Sequence, residues 1–469
     1  MWYENTSSSQ LYLGEGKMEG AGFAHGVRRR LVGIPVSLVG IWALFWCAQT
    51  AAADLSTSIP VHFSVGPDCS QDLVVSTLKS AKSTVLINAY ELRDSLVTDT
   101  LVALIRRDVK VLVLVEANPV GLITQTSVKD LQTIQDEMNQ HVDPAGRWNR
   151  IWLIGAPPKQ KGRYSFDHAK YMVIDSNLVF VSSDNFVEPA FPDSGLTGYR
   201  GWQVAVEDPI LANAVTDIFH EDLDASFGDV QDFKQAKLRV TTKSSRPLAP
   251  RKADLSEESG LAAAVTLITS PNTPRPDDGV LGPGGSTDAL VKVMQNAHSH
   301  LEFEMLSLPL YWQAGGGGKN VSPLVSAVVT AAKAGAQVRV LLNDESVFGM
   351  SAEDPPPEMS MIESANRNEA TVAYLQHVAR CQNLPLHARI VNLAAAGLLV
   401  LHNKGLLLDD GLNREYALIG SINGTKGSAM DNREVALLVQ STDASKYYGE
   451  AFQRDWNASP EVADSTPCE

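Results

Sequence analysis

Between Gln71 and Ala81 the apolar residues Leu73, Val74 and Leu78 recur at helical spacing, with polar residues between them. Thr84 to Tyr90 is then a short apolar run of strand character. Ser95 to Arg107 returns to an amphipathic helical pattern, and Val109 to Val115 is apolar apart from Lys110, as in a strand buried on both faces. The same succession recurs later in the chain. A helix is predicted over Asp288 to Ala297, a strand over Leu301 to Leu306, a helix over Ser322 to Ala334 and a buried strand over Gln337 to Leu342. Strands alternating with helices predict βα units. The chain therefore reads as two similar α/β halves, each a mostly parallel sheet flanked by helices, packed about a pseudo-two-fold axis.

The polar stretches set the boundaries. Thr241 to Gly260 is polar and carries Pro247 and Pro250, so residues 241–260 read as a linker between a first half, 54–240, and a second half, 261–460, followed by a tail, 461–469. Thr273 to Ser286, Gly315 to Gly318 and Asp354 to Pro357 read as surface loops. At the start, Arg28-Arg29-Arg30 precedes an apolar run from Leu31 to Cys47 and then Ala51-Ala52-Ala53. A basic stretch, an apolar core and an Ala-x-Ala site are the layout of a signal peptide, and the same segment is long enough for an uncleaved membrane anchor. Residues 1–53 are read as one or the other, which places the body in a secreted, periplasmic or lumenal setting.

Composition changes this picture little, but charge narrows it. The net charge of −15 gives no general electrostatic footprint for duplex nucleic acid, although a local basic groove is compatible with it. Cys69, Cys381 and Cys468 are too widely spaced for a zinc set; one disulfide with a free thiol and three thiols both remain open.

The chemistry lies in a duplicated motif. His168-Ala169-Lys170 leads to Asp175, and His402-Asn403-Lys404 leads to Asp409, with the same spacing. Each copy is followed by an apolar run and a small polar cluster, Ser182-Ser183-Asp184-Asn185 and Gly420-Ser421-Ile422-Asn423. Residues two apart on a strand share a face, so each His projects with its Lys. Asp175 and Asp409 have the opposite parity and are read as structural members of the motif. If the halves meet face to face, two imidazoles and two ammonium groups line one pocket. That set suits phosphodiester chemistry: lysines and the Asn185 and Asn423 amides stabilise phosphoryl oxygens, one imidazole attacks phosphorus, and the other moves the proton of the leaving group. Ser183 and Ser421 are placed as supporting residues. Neither metal nor cofactor is required by this set. Each imidazole needs a partner on its other nitrogen; Glu434 offers one in the second half, and Gln203 stands at what reads as the matching place in the first. On that reading His168 has a neutral partner, and its imidazolium is less stabilised than that of His402.

The two His-x-Lys-x4-Asp copies with trailing Ser-x-Asn resemble the phospholipase D superfamily, over nearly all of Val61 to Asp455. The resemblance implies a metal-independent phosphodiesterase or transphosphatidylase with a phosphohistidine intermediate. It implies His168 and His402 as nucleophile and general acid/base, with the N-terminal His168 attacking, and Lys170, Lys404, Asn185 and Asn423 binding phosphate. Departures are Ser182 where the family has Gly, Gln203 where an acid is expected, and extra residues between Asp409 and Gly420, read as a longer hairpin. The expected substrate is a phospholipid or another phosphodiester at a membrane surface, with water or an alcohol as acceptor. Single-stranded nucleic acid is the alternative substrate, fed past Lys159 to Arg163, and an inactive interaction scaffold is the reading outside enzymology.

Overall fold

The computed structural model describes residues 58–155, 162–242, 247–271, 285–312, 321–348, 367–461 and 466–468. The N-terminal segment 1–53, Lys159 to Lys161, the Thr273 to Gly284 stretch, the glycine run and Asp354 to Pro357 lie outside them.

The strands of the first half are β1 (Ile59–Val65), β2 (Thr84–Ala89), β3 (Lys110–Glu116), β4 (Arg150–Ile154), β5 (Lys170–Ile174), β6 (Leu178–Ser182), β7 (Trp202–Glu207), β8 (Val230–Asp232) and β9 (Glu258–Ala262). They form one sheet in the order β8-β4-β3-β2-β5-β6-β7-β1-β9. The second half contributes β10 (Ala264–Ser270), β11 (His300–Met305), β12 (Gln337–Leu342), β13 (Leu386–Ile390), β14 (Lys404–Asp409), β15 (Glu415–Gly420) and β16 (Glu434–Gln440), in the order β10-β16-β15-β14-β11-β12-β13. The halves thus repeat one plan. The sheets are mixed, however: β2, β3 and β4 run parallel, as do β11, β12 and β13, while the motif strands pair antiparallel. The expectation of mostly parallel sheets holds only for those strands. The βα pattern marks crossovers, whereas β5 with β6 and β14 with β15 form hairpins, which reverse direction.

Helices α1 (Ser70–Lys79), α2 (Ser95–Arg106) and α3 (Gln125–Gln140) cover the outer face of the first sheet. Asp94 accepts from the Val97 N–H at 2.9 Å and so starts α2. The inner faces of the two sheets share a core with two further helices, α4 (Pro209–Asp222) and the C-terminal helix Thr442–Ala458. Within β5, Tyr171 and Val173 point into that shared core, and Met172 and Ile174 into the outer one. Gly405 shows how closely the halves approach: a Cβ there would lie 2.5 Å from the Trp202 ring of the other half.

The stretch read as a linker is partly built into the first sheet. Glu258–Phe63 to Ala262–Ile59 pairing makes β9 the edge strand beside β1, which covers an otherwise open edge. Arg251 pairs with Asp68 and holds the preceding segment down.

Candidate active site

The segments that precede the two histidines are fastened to the opposite half. The His168 N–H donates to the Arg433 carbonyl at 2.8 Å, and the Arg433 N–H donates to the Phe166 carbonyl at 2.9 Å. On the other side, Gly198–Arg200 pairs in parallel with Leu398–Leu401, and the His402 N–H donates to the Arg200 carbonyl at 2.8 Å. Both arginines are buried. Arg433 Nε donates to Asp222 at 2.9 Å, and Arg200 donates to Asp455 at 2.5 Å and to Asp68 at 2.9 Å. A buried guanidinium is costly unless fully paired, so these carboxylates hold the junction in register.

That joinery brings each imidazole to a carboxylate of the other half. His168 Nδ1 lies 2.9 and 3.1 Å from the Glu434 oxygens, and His402 Nδ1 lies 2.9 Å from Asp184 Oδ1. The Lys170 ammonium donates to the His168 carbonyl. The Lys404 ammonium donates to the His402 and Ser183 carbonyls and lies 2.9 and 3.1 Å from the two ring nitrogens of His402. Tyr90 packs edge-on to His168 with ring centroids 4.7 Å apart, and the Lys170 ammonium sits 5.0 Å from the centre of the same ring. Tyr199 lies 5.8 Å from the His402 ring.

The electrostatics are those of charges confined away from water. Burial, helped by the Lys170 and Lys404 charges, brings the His168 pKa down to about 4 against the pull of Glu434. Burial brings Lys170 down to about 7. His402 falls well below its ordinary value through burial and the charges of Lys404, Lys170 and His168, and Lys404 falls through burial and Lys170. Asp184 is raised to about 7 by burial, against the lysines. Burial alone would raise Glu434, but His168, Lys170 and a hydroxyl outweigh it and hold the carboxyl below the usual range. An anion with several acceptor oxygens would relieve this crowding of cations.

The expected pairing of acids is corrected by these contacts. Gln203 does not face His168, and Glu434 does not face His402. Within one half, the strand bearing the His and the strand bearing position 203 or 434 are separated by a third strand, roughly 9–10 Å away. Across the interface the carboxylate is adjacent. His168 therefore has a charged partner. Gln203 instead donates to Asp184 Oδ2 at 3.1 Å and accepts from Ser64 Oγ at 3.0 Å. Asp175 and Asp409 lie at the far ends of the motif strands. Asp175 accepts the backbone N–H groups of Lys82, Ser83 and Thr84, each at 2.8 Å, and Asp409 accepts those of Ser299 and His300 at 2.8 and 3.0 Å. Ser183 Oγ and Ser421 Oγ accept the N–H groups of Trp202 and Val435 at 2.9 and 3.1 Å, closing the sheet beside the site. Asn185 and Asn423 occupy matching places, each with a buried amide oxygen that accepts no hydrogen bond from the described residues.

Several residues were missed in the sequence. Asp184 occupies the variable place of Ser-x-Asn, and the contrast between Asp184 and Ile422 was its signal. Ser428 and Asn432 both donate to Glu434, the latter at 3.0 Å. Glu116 accepts the Asp167 N–H at 2.7 Å and fixes the approach to His168. Arg200 and Arg433 carried no repeated spacing that would have singled them out.

No curated protein matches the chain. Residues 74–223 and 290–456 match the family described as cardiolipin synthase, PLD-like domain. The phosphatidylserine synthase of Haemophilus influenzae Rd KW20 is similar in structure, with a TM-score of 0.58 at 14% identity, over 89% of this chain and 92% of its own. Nuc of Salmonella typhimurium, described as a phospholipase D family member, has 20% identity over 37% of this chain and 98% of its own, with a TM-score of 0.29. The matched residues make up more than half of the chain, which belongs to the phospholipase D superfamily, in the family of cardiolipin synthase PLD-like domains.

Proposed function

We propose that the protein is a phospholipase D-type phosphodiesterase that hydrolyses or transfers the phosphatidyl group of a phospholipid through a phosphohistidine. The carrying observation is the paired site: one imidazole from each half, its Nδ1 held by a carboxylate of the opposite half, with a lysine beside it. With the His168 Nδ1–H donated to Glu434, Nε2 keeps its lone pair and is the nucleophile. Nε2 bonds to phosphorus as the bond to the leaving oxygen breaks, and His402 delivers a proton to that oxygen. Water or an alcohol then gives its proton to His402 and attacks phosphorus, and the N–P bond breaks. Lys170, Lys404 and the Asn185 and Asn423 amides take up charge on the non-bridging oxygens.

The phospholipid reading is supported by the match to the cardiolipin synthase, PLD-like domain family and by the phosphatidylserine synthase likeness over most of both chains. One observation favours single-stranded nucleic acid instead: the half-buried Tyr199 stands beside His402, where an aromatic face would stack a base. The Cys381–Cys468 disulfide supports a location outside the cytosol, with the membrane reached through the N-terminal segment. Among the described residues no helix is long and apolar enough to cross a membrane.

The test is purified protein in EDTA, given phosphatidylcholine with ethanol and, separately, labelled single-stranded DNA. Phosphatidylethanol supports the proposal. DNA fragments without lipid products transfer it to the nuclease reading. Neither product from a folded sample supports the scaffold. His168→Ala and His402→Ala are each expected to abolish turnover.

A further inference from the structure

The two halves hold their histidine partners from different places in the sheet. Ser183 and Ser421 fix the correspondence. Each donates its N–H to a strand carbonyl, Trp202 or Val435, and each accepts that residue's N–H on its hydroxyl. Trp202 therefore matches Val435, and the position that matches Glu434 is Gly201. It is not Gln203, which matches Ala436. The residue that matches Asp184 is Ile422. The first half has a glycine where the second has its acid, and an acid where the second has an isoleucine.

Gly201 leaves room that Asp184 uses. A Cβ at 201 would lie 1.7 Å from Asp184 Oδ2 and 2.4 Å from its carboxyl carbon. No flexible side-chain end could yield by that much, because the other oxygen is committed to His402. The surroundings of Asp184 have changed to match. Gln203 Nε2 donates to its second oxygen, and Ser64 Oγ donates to Gln203 in turn. By strand register these two residues pair across β1 and β7, and the corresponding pair in the second half is Ile268 and Ala436, which is wholly apolar. Ser182, which pairs with Gln203 where Gly420 pairs with Ala436, uses its hydroxyl to accept the Asp184 N–H at 2.9 Å. All of Ser64, Ser182, Asp184 and Gln203 are fully buried. A buried polar set survives only when its members satisfy one another, and every bond in this set leads to Asp184.

We propose that Asp184 is the relocated acid of the first half: a positioning residue that orients the His402 imidazole from the Ser-x-Asn turn, in place of an acid at position 201. The inference rests on the proposed phosphodiesterase reading for its kinetic consequence only; its geometric content concerns the His402 ring. It also gives one cause for the departures in this half: Ser182 where the second half has Gly420, Gly201 where it has Glu434, and Gln203 where it has Ala436.

The experiment compares wild type with Asp184→Asn, Asp184→Ala, Gly201→Glu and the double variant Asp184→Ala/Gly201→Glu. Turnover is read as kcat and KM, and the His402 ring nitrogens by 15N NMR. A general acid contributes about 10²–10⁴-fold, so Asp184→Ala is expected to lower kcat by at least about 10²-fold with KM changed only a few-fold. Asp184→Asn keeps the shape and the Gln203 contact, yet is expected to lose most of the same activity and to move the His402 Nδ1 resonance. Gly201→Glu alone collides with Asp184 and is expected to unfold or lose activity. The double variant gives the first half the arrangement of the second, and is expected to recover at least tenfold in kcat and a His402 Nδ1 resonance like that of wild type. Near-wild-type kcat in both Asp184 variants would overturn the proposal. So would a folded double variant with no recovery in either readout. If wild-type protein turns over none of the phosphodiesters offered, the function reading fails alone, and the NMR comparison still decides the role of Asp184.

Discussion

Replacing Glu434 by Gln keeps the volume of a side chain that has no exposure and removes its charge. The carboxylate serves three donors: His168 Nδ1 at 2.9 Å, the Ser428 hydroxyl and the Asn432 amide at 3.0 Å. A Gln amide offers one acceptor oxygen and adds a donor of its own. One charge-assisted bond, worth about 1.5–3 kcal/mol, becomes neutral or is lost, and a buried donor left unpaired costs about 1–3 kcal/mol more. The part that falls on the transition state, where His168 gains positive character, comes to about 3–4 kcal/mol, or about 10²–10³-fold in rate. The assay is choline release from phosphatidylcholine by Glu434→Gln, with a melting curve on the same sample. The expected result is a kcat lower by that factor with KM within a few-fold. Because folding holds the Glu434 pKa below its unfolded value, its stabilisation is present at neutral pH and is lost as pH falls through the folded pKa. Glu434→Gln should lack that acid-side loss. A folded variant with kcat within threefold of wild type would refute the role given to the carboxylate.

Three further outcomes are expected. The kcat/KM profile of the free enzyme should fall on the acid side near pH 4, where His168 takes up a proton, and on the alkaline side as His402, whose pKa lies well below the ordinary imidazole value, loses the proton it delivers; a flat profile from pH 5 to 9 would contradict this. Asp409, whose pKa folding lowers to about 2, gives stability that is present above about pH 4 and lost as pH falls through 2. Asp409→Asn should therefore cost about 1–2 kcal/mol in denaturant melts at neutral pH while kcat at low temperature stays near wild type, and a large loss of kcat would make the residue part of the chemistry. Reduction of Cys381–Cys468, which spans 87 residues, should lower stability by about 2–4 kcal/mol in calorimetry and leave kcat unchanged, whereas an unchanged melting temperature would show that the bridge ties down nothing.

The parts of the fold that announce themselves in sequence are those with a single period. Ser95–Arg106 is an amphipathic helix and Gln337–Leu342 a mainly apolar strand, and both lie where their patterns put them. Strand direction is different. Lys170–Ile174 is apolar on both faces whether its neighbours run with it or against it, so the antiparallel half of each sheet left no trace in hydropathy. The repeated His, Lys and Asp spacing pointed to the site because both copies keep it. Which acid meets which imidazole was not legible, since that depends on how two sheets face each other and not on spacing within either. Reading Gln203 as the counterpart of Glu434 followed from apolar runs that look alike. Only the hydrogen bonds of Ser183 and Ser421 show that the true counterpart is Gly201.

The central claim is that imidazoles from both halves act on one phosphorus atom. Its most direct test is rapid acid-free quench of His402→Ala with a phospholipid labelled at phosphorus, followed by peptide mapping. The account predicts label retained on the peptide carrying His168, and none in His168→Ala. Label on neither protein, together with near-wild-type turnover by either single variant, would contradict a shared site.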